Sequence, residues 1–600
     1  MFFRTKTIGS SKLVQLVEAY RNSEGQPRQR VIASLGDAAI PEHEKRLIAR
    51  MVEQRLQNQR DLFEADLSEE TAAWVDRIVR LIERSKSSRP KCEMDYADGV
   101  KVNEIETENV VEYGPELIGM KAWEALDLTT LLLESGMNRK TVSTAQMMVI
   151  NRLIHPLSEL ALIDWSEQTA LPECLNIRIT RTQKDRLYKT SDELLKRHKT
   201  IEDNLRRKEK QLYGLRRNIV LYDVTNSHFE GLCEQNPKAR RGKNKQKRND
   251  CLQVAVGIAY DEFGCALAHE VFSGNMSDSK TLKKMLERLG KVCDGDEKPV
   301  AILDAGIATK DNLSMLKDMG YSFLVNVTRG SRAKYETLFQ TGSFTPLPER
   351  HPDKQVEVMS VPDPEDSEQR LVLCRSMKRR LKETAMLSKA EERFLADADA
   401  LSKRVEKGRL KDPVKVLKAI GRISQRHRRV ARFYNLELQG QSILITRDDD
   451  KMNAALDLCG DYVLRTDQNF DADEIWNLYM NLLKAEEGFK LLKGSLGIRP
   501  NFHQKEHRVD GHIFISVLAY HLLCWIRNKL EQAGDRRQWV TIRRLLRTHC
   551  LMTTRLPLKD GRVISIRKPN RPDEKQICIY KSLGIHAEGS YTPRKTEMKA

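Results

Sequence analysis

Two aspartates stand where apolar strands give out. Asp223 follows the apolar residues of RNIVLYDVT (217–225) and Asp304 those of PVAILDAG (299–306), so each carboxylate is expected where a strand runs into a loop, the usual ligand edge of such sheets. An Asp after a strand also starts turns and caps helices, and either one alone reads equally well that way. Two of them facing one edge on neighbouring strands read more readily as a site. A third acid lies in IWNLYMNLLKAEEGFKLLKG, where Tyr479, Leu482, Glu486 and Lys493 are spaced 3, 4 and 7 and share one helix face. Taken in isolation that segment is an amphipathic helix with surface Glu/Lys pairs.

Two further patterns offer chemistry. His503-Gln-Lys-Glu506-His507 fits H-x-x-E-H, in which two histidines on one helix face hold Zn²⁺ and the glutamate activates water. Pro500 just upstream, basic surroundings (Lys505, Arg508) and the lack of a third ligand speak against it. The run Lys238 to Arg248 (KARRGKNKQKR) has seven Lys or Arg in eleven residues and reads as a nucleic-acid backbone contact close in sequence to Asp223, or as a solvated loop. There is no G-x-x-x-x-G-K-[ST] loop and no nucleophile elbow.

The elements that position these residues follow from periodicity. RNIVLYDVT, CLQVAVGIAY (251–260) and ALAHEVFSG (266–274) read as strands forming a meander. They are followed by a helix (279–289), a strand (299–306), a helix (309–319) and a strand (321–328). The order β-β-β-α-β-α-β predicts a mixed sheet, antiparallel on one side and parallel on the other. Residues 329–468 interrupt it with extended segments and a highly charged helical stretch, Met377 to Arg432. DYVLRTD then reads as a strand, and Ala472–Lys493 and Gly511–Leu530 as two long helices. Upstream, residues 1–36 alternate extended stretches with Gly and Ser, Pro41 to Leu62 has helical spacing, and Asp98 to Glu108 looks like a polar linker. Helical patterns dominate from Gly114 to Leu215, including DELLKRHKTIEDNLRRKEKQLYGLRR, whose charges suit a solvated face or a surface along phosphates. A frayed basic end is expected after Ser590.

Asp223 in YDVTN, Asp304 in LDAG and the Tyr479-Leu482-Glu486-Lys493 helix resemble the three signature regions of DDE insertion-sequence transposases, in the branch with a long insertion before the Glu helix, the IS-four superfamily. The intervals, 304 − 223 = 81 and 486 − 304 = 182, suit that branch. GNMSDSKTL (274–282), the VNVT strand, GDYVLRTD (460–467) and Leu496-Gly-Ile-Arg-Pro500 join the resemblance, which spans roughly residues 215–530 and touches FFRTKT and RQRVIASLG near the start. One departure is Leu482, where many members have Arg.

The resemblance implies a multidomain α/β protein with a ribonuclease H-like mixed-sheet core interrupted by an insertion domain. On this reading 1–110 is a basic α+β region, 111–215 a helical DNA-binding region, 216–328 the first part of the core, 329–468 the insertion, 469–550 the Glu helix and packing helix, and 551–600 a basic tail. It further implies that Asp223, Asp304 and Glu486 hold two divalent cations. Three converging carboxylates, each pair repelling by roughly 1 kcal/mol at 4 Å in water and about 4 at an effective dielectric of 20, need cations or must protonate. Hard oxygen ligands favour Mg²⁺ or Mn²⁺ over zinc. Tyr479 and Lys493 would contact phosphate beside the scissile bond, with Asn226, Lys490, Arg499 and His503 along the same path.

Composition agrees with a DNA partner. The net charge is +18 with 103 Lys and Arg against 85 Asp and Glu, and such a balance points to a polyanion. The longest apolar run, Ile513 to Ile526, is 14 residues and reads as a buried helix, since a membrane span needs about 18 or more. With no apolar leader in MFFRTKTIGSSK, a cytoplasmic protein is expected. The eleven cysteines form no C-x-x-C pair and read as reduced. The expected function is a transposase that binds the terminal repeats of its element as a homodimer on double-stranded DNA, cuts the ends and joins the 3′-hydroxyls to target DNA. A silent DNA-binding regulator and a nuclease without strand transfer are the alternatives.

Overall fold

The computed structural model describes residues 1–8, 11–21, 26–37, 40–56, 68–87, 99–214, 219–243, 248, 250–290, 299–347 and 355–599. It divides into two units, Met1–Lys101 with Leu558–Asp560, and Val102–Pro557 with Gly561–Ala600. In the first, strands Phe2–Ile8, Ser11–Arg21 and Pro27–Ser34 form an antiparallel sheet joined by helices Lys45–Leu56 and Glu69–Ser87. Leu16, Ile48, Val52 and Ile78 are buried together there. The end of the helix expected over Pro41 to Leu62 lies outside the described residues.

The second unit opens with helices, among them α1 (Arg139–Ile154), α2 (Lys184–Lys196) and α3 (His198–Tyr213), and then builds a nine-stranded sheet. Strands β1 (Ile219–His228), β2 (Gln253–Tyr260) and β3 (Ala266–Ser273) form the antiparallel meander. Helices α4 (Asp278–Leu289) and α5 (Lys310–Asp318) connect it to β4 (Val300–Leu303) and β5 (Ser322–Asn326), which run parallel to β1. The mixed sheet predicted from the element order is therefore present.

Alternation along the strands decides what each face meets. Val220, Tyr222 and Val224 of β1 pack with Leu282, Met285 and Leu286 of α4, whereas Ile219 and Leu221 pack on the opposite face, the one shared with α9 (Glu506–Gln532). Both faces are covered, which is why these strands are apolar on both sides. Helix α9 is apolar all round because it is enclosed by the sheet, α1 and α2. It is longer than its 14-residue apolar run. It is long and apolar enough to cross a membrane by length and composition, but 94% of its most apolar window is buried in protein.

Four expectations need correction. Residues 329–468 do not leave the sheet as a block. β6 (Thr345–Pro346), β7 (Val356–Asp363), β8 (Asp366–Ser376) and β9 (Asp461–Thr466) extend it, giving the order β6-β7-β8-β9-β5-β4-β1-β2-β3. The true excursion starts with helix α6 (Met377–Glu406) and packs around its own apolar groups, Phe394, Val430 and Phe433 in one and Leu401, Val416 and Ile443 in another. The end of the expected linker, Glu106 to Glu108, belongs to a strand, Glu106–Glu112, paired with Cys550–Pro557. The expected frayed end instead contributes Arg594–Lys599 to that same four-stranded sheet. The single helix expected over Ala472–Lys493 is two, α7 (Ala472–Met480) and α8 (Leu482–Gly494), and Asn481 between them keeps right-handed backbone, φ −62° and ψ −22°. The nine described cysteines are free thiols.

The charged run of α3 is partly internal. Glu209 receives a 2.8 Å hydrogen bond from the His521 ring of α9, and both are almost wholly buried. Burial opposes the imidazolium, but the Glu209 carboxylate outweighs it and raises the His521 pKa to about 9. A raised folded-state pKa gives stability that is full below the unfolded value near 6.5 and lost as pH climbs through 9. Urea midpoints should therefore fall between pH 6.5 and 9.5 by the equivalent of about 3 kcal/mol in the native protein, and much less in His521→Gln. Equal slopes in the two proteins would contradict this pairing.

Candidate active site

Register brings the two aspartates together. In the parallel pairing of β1 with β4, Ile219 stands opposite Val300 and Tyr222 opposite Leu303, so the next residues, Asp223 and Asp304, are neighbours on strands about 4.8 Å apart. Between β4 and β5, Leu303 stands opposite Val325, which puts Asn326 third in the same row. Ile219, Leu221, Val300, Ile302 and Leu324 all belong to the α9 face, and the two-residue period carries Asp223, Asp304 and Asn326 onto that face too. Asp223 does not end its strand, as expected from sequence, because β2 pairs with β1 as far as His228. What ends at this level is β4. Asp304 is exposed and Asp223 half-buried, and each Oδ1 accepts the N–H of the following residue, Val224 at 2.7 Å and Ala305 at 2.8 Å.

Helix α8 packs on the same face through Ala485, Phe489 and Leu492, leaving Glu486 exposed. Its close approach depends on Gly488, where an added Cβ would lie 2.7 Å from Tyr520 Oη and 2.9 Å from the Tyr260 ring. Gly488→Ala should therefore shift α8 and destabilise the protein by about 1–3 kcal/mol, measurable as a lower urea midpoint. An unchanged midpoint would mean the helix has slack. Leu482 is buried in the core, which accounts for an apolar residue at this position. The Tyr479 hydroxyl receives a 3.0 Å hydrogen bond from Asn326 Nδ2. Burial raises its pKa, the Asn326 bond acts against this, and the Asp304 and Glu486 carboxylates add to it. The phenol thus sits within the field of both acids.

Residues 214–522, more than half of the chain, match the transposase DDE domain family. The chain belongs to that family. Residues 3–66 of the transposase match the IS1634 family transposase N-terminal domain. Among curated proteins nothing matches. Among solved structures, the cryo-EM structure of piggyBac transposase synaptic complex with hairpin DNA (SNHP) is similar at 9% identity over 69% of this chain and 71% of that one, with a TM-score of 0.33, too distant to carry an argument.

The remaining sequence-predicted residues divide. In the transposase Lys490 is exposed, and the Lys493 ammonium lies 5.4 Å from the Phe489 ring centroid. Asn226 Nδ2 donates to the Lys243 carbonyl at 2.9 Å, tying the basic run to β1. Within that run Lys238 is paired with Asp510 and Glu506, and Arg248 with Asp250, while Arg241 and Lys243 are exposed and 244–247 lie outside the described residues. Arg499 is half-buried, and burial lowers its pKa. His503, expected along a DNA path, is turned inward, its Nε2 3.1 Å from Glu159 and its ring edge-on to His512. The zinc-peptidase pattern fails as well: α9 begins at Glu506, so His503 precedes the helix, and His507 lies beside Asp192.

Among the described residues, the one set of three His, Cys, Asp or Glu side chains whose ligand atoms all lie within 4.8 Å is Glu159, His503 and His512, not the three carboxylates. The Arg152 guanidinium, a donor only, lies 3.2 Å from His512 Nδ1, so that nitrogen must accept and Nε2 carries the proton. Burial, then Arg152, keeps this imidazole neutral. Burial of Glu159 opposes its charge, but the His503 hydrogen bond and the Arg152 charge outweigh it and hold the carboxyl at about 2. The Arg152 guanidinium adjoins this group at His512, and Glu159 is paired with His503 within it.

Sequence reading missed Asn326 and Gly488. The signal for Asn326 was the interval 326 − 304 = 22, equal to the β4–β5 register offset 322 − 300 = 22, which becomes usable only when both strand starts are known.

Proposed function

We propose that the transposase cuts DNA at the ends of its own mobile element and joins the freed 3′-hydroxyls to target DNA, with Asp223, Asp304 and Glu486 as the catalytic carboxylates. The observation that carries this is the row of Asp223 and Asp304 on adjacent parallel strands, facing the side of the sheet on which α8 presents Glu486. The donor set fits magnesium or manganese: three carboxylates with hard oxygens, no sulfur or imidazole among them, and at least two exposed to solvent and substrate. Two such ions bound there would supply activation of the attacking oxygen and stabilisation of the leaving 3′-oxygen.

The chain's own residues do the rest. Asp223 and Asp304 hold one side of the reacting phosphate's environment through a rigid sheet, and Glu486 closes it from α8. Tyr479 offers its hydroxyl to a phosphate oxygen beside the scissile bond, Lys493 offers charge, and Lys490, Arg499 and the Asn226-anchored basic run extend the backbone contacts. Terminal repeats are read by the helical region before residue 215 and by the N-terminal unit, and a homodimer holds the two ends for concerted cutting.

Strand transfer is the discriminating activity. Pre-cut element ends with free 3′-hydroxyls, incubated with the transposase, Mg²⁺ and a supercoiled plasmid, should yield plasmid molecules with new element junctions. Cleavage without junctions would reduce the protein to a nuclease, and binding without either to a regulator.

A further inference from the structure

We infer that Asn326 is a positioning residue that fixes the Tyr479 hydroxyl as a hydrogen-bond donor towards the DNA phosphate. The inference rests on the proposed function and adds to it a group outside the three carboxylates. Asn326 is third in the row begun by Asp223 and Asp304, on the same face and one strand further along. On its other side it stands opposite Leu464 of β9, whose pairing with β5 holds its backbone. The row is therefore two acids and one amide, and the amide does not add a third negative charge beside them.

The chemistry of the contact gives the amide its role. Nδ2 of a carboxamide only donates, and it reaches Tyr479 Oη at 3.0 Å, occupying a lone pair of the phenol. The phenol O–H must then find its acceptor elsewhere. It does not turn back on Asn326, whose Oδ1 is buried and has no hydrogen-bond partner among the described residues. Asp304 and Glu486, both exposed, act on the phenol, so it lies near the side of the site where the DNA is proposed to run. A phenol with an ordinary pKa near 10 is protonated at neutral pH, so it remains a donor rather than becoming a third anion near the phosphate. A phosphate oxygen is the acceptor that suits it, and a charge-assisted bond of this kind is among the stronger hydrogen bonds.

Asn326→Asp is the informative substitution because it keeps the shape and replaces the donor with an acceptor. The Tyr479 O–H would turn onto the new carboxylate and away from the phosphate. Single-turnover cleavage of an element-end duplex in Mg²⁺ is measured for wild type, N326D, Y479F and the double variant, with Asn326→Leu as a second, uncharged removal of the donor. Each single change should slow cleavage about ten- to hundredfold, the range for losing one hydrogen bond to a charged group, with DNA affinity unchanged. In the Y479F background, N326D and N326L should add little. The Mg²⁺ concentration giving half-maximal rate should be the same in wild type and N326L. If N326D or N326L slows the Y479F protein by as much as it slows wild type, Asn326 acts by another route and the inference is wrong. A wild type that cuts in no divalent cation would overturn the proposed function and this inference with it.

Discussion

Asp304→Ala is expected to bind element-end DNA with wild-type affinity and to cut it roughly a thousandfold more slowly or worse, the rate equivalent of about 4 kcal/mol. Asp304 is exposed, and among the described residues its side chain accepts the N–H of its neighbour Ala305 alone, so its removal should cost the fold little. What it removes is a hard oxygen from beside Asp223, and with it the half of the row that lies at the end of β4. A thousandfold loss with an unchanged urea midpoint locates the effect in the chemistry. A variant that cuts within a few-fold of wild type would remove Asp304 from the catalytic set, and the pairing of β1 with β4 would then be architecture alone.

The largest effect on stability is expected at Glu202. This residue of α3 is almost wholly buried and accepts from the His269 ring, from the His269 backbone N–H at 3.1 Å and from Arg288 Nη2 at 3.0 Å. It thereby ties α3 to β3 and α4. Arg288 is itself nearly buried and is otherwise paired with Asp203, which is more exposed. Glu202→Ala leaves a guanidinium without its buried partner, a change that costs about 3–5 kcal/mol when one member of such a pair is removed. Glu202→Gln, which keeps an acceptor but not the charge, should fall between. Chemical denaturation at pH 7 measures both, and an alanine variant as stable as wild type would show that water reaches and solvates Arg288.

Much of this arrangement was legible in the sequence because the central strands obey simple rules. AILDAG is an apolar run closed by turn-forming residues, LYDVT is an apolar run whose strand continues beyond Asp223, and the helix between each pair of parallel strands leaves its own periodic trace. The spacing of 81 between Asp223 and Asp304 equals the register offset 300 − 219, so the site is a consequence of which strands pair. Other features depended on partners far away in the chain. β7 and β8 carry Glu, Arg and Asp among their apolar residues, and the charged α6 follows β8 at once. That hid the pairing of β8 with β9, where Arg375 stands opposite Asp461 across the whole excursion. The acids of α3 looked like a solvated face because their partners, His269 and His521, come from β3 and α9. His503 was misplaced for the same reason: Glu159, which draws it inward, lies in the helical region far upstream.

The central claim, that the carboxylates cut DNA at the element's own ends, is tested most directly by mapping 3′-hydroxyls. Labelled DNA carrying the flanks of the transposase's own gene is incubated with the protein in Mg²⁺ or in EDTA, and new ends are read at single-nucleotide resolution. New 3′-hydroxyls at the element boundary, present in Mg²⁺ and absent both in EDTA and in Asp304→Ala, are the predicted result. Binding to the same DNA with no new ends in Mg²⁺ or Mn²⁺, or cuts that persist in Asp304→Ala, would contradict the account.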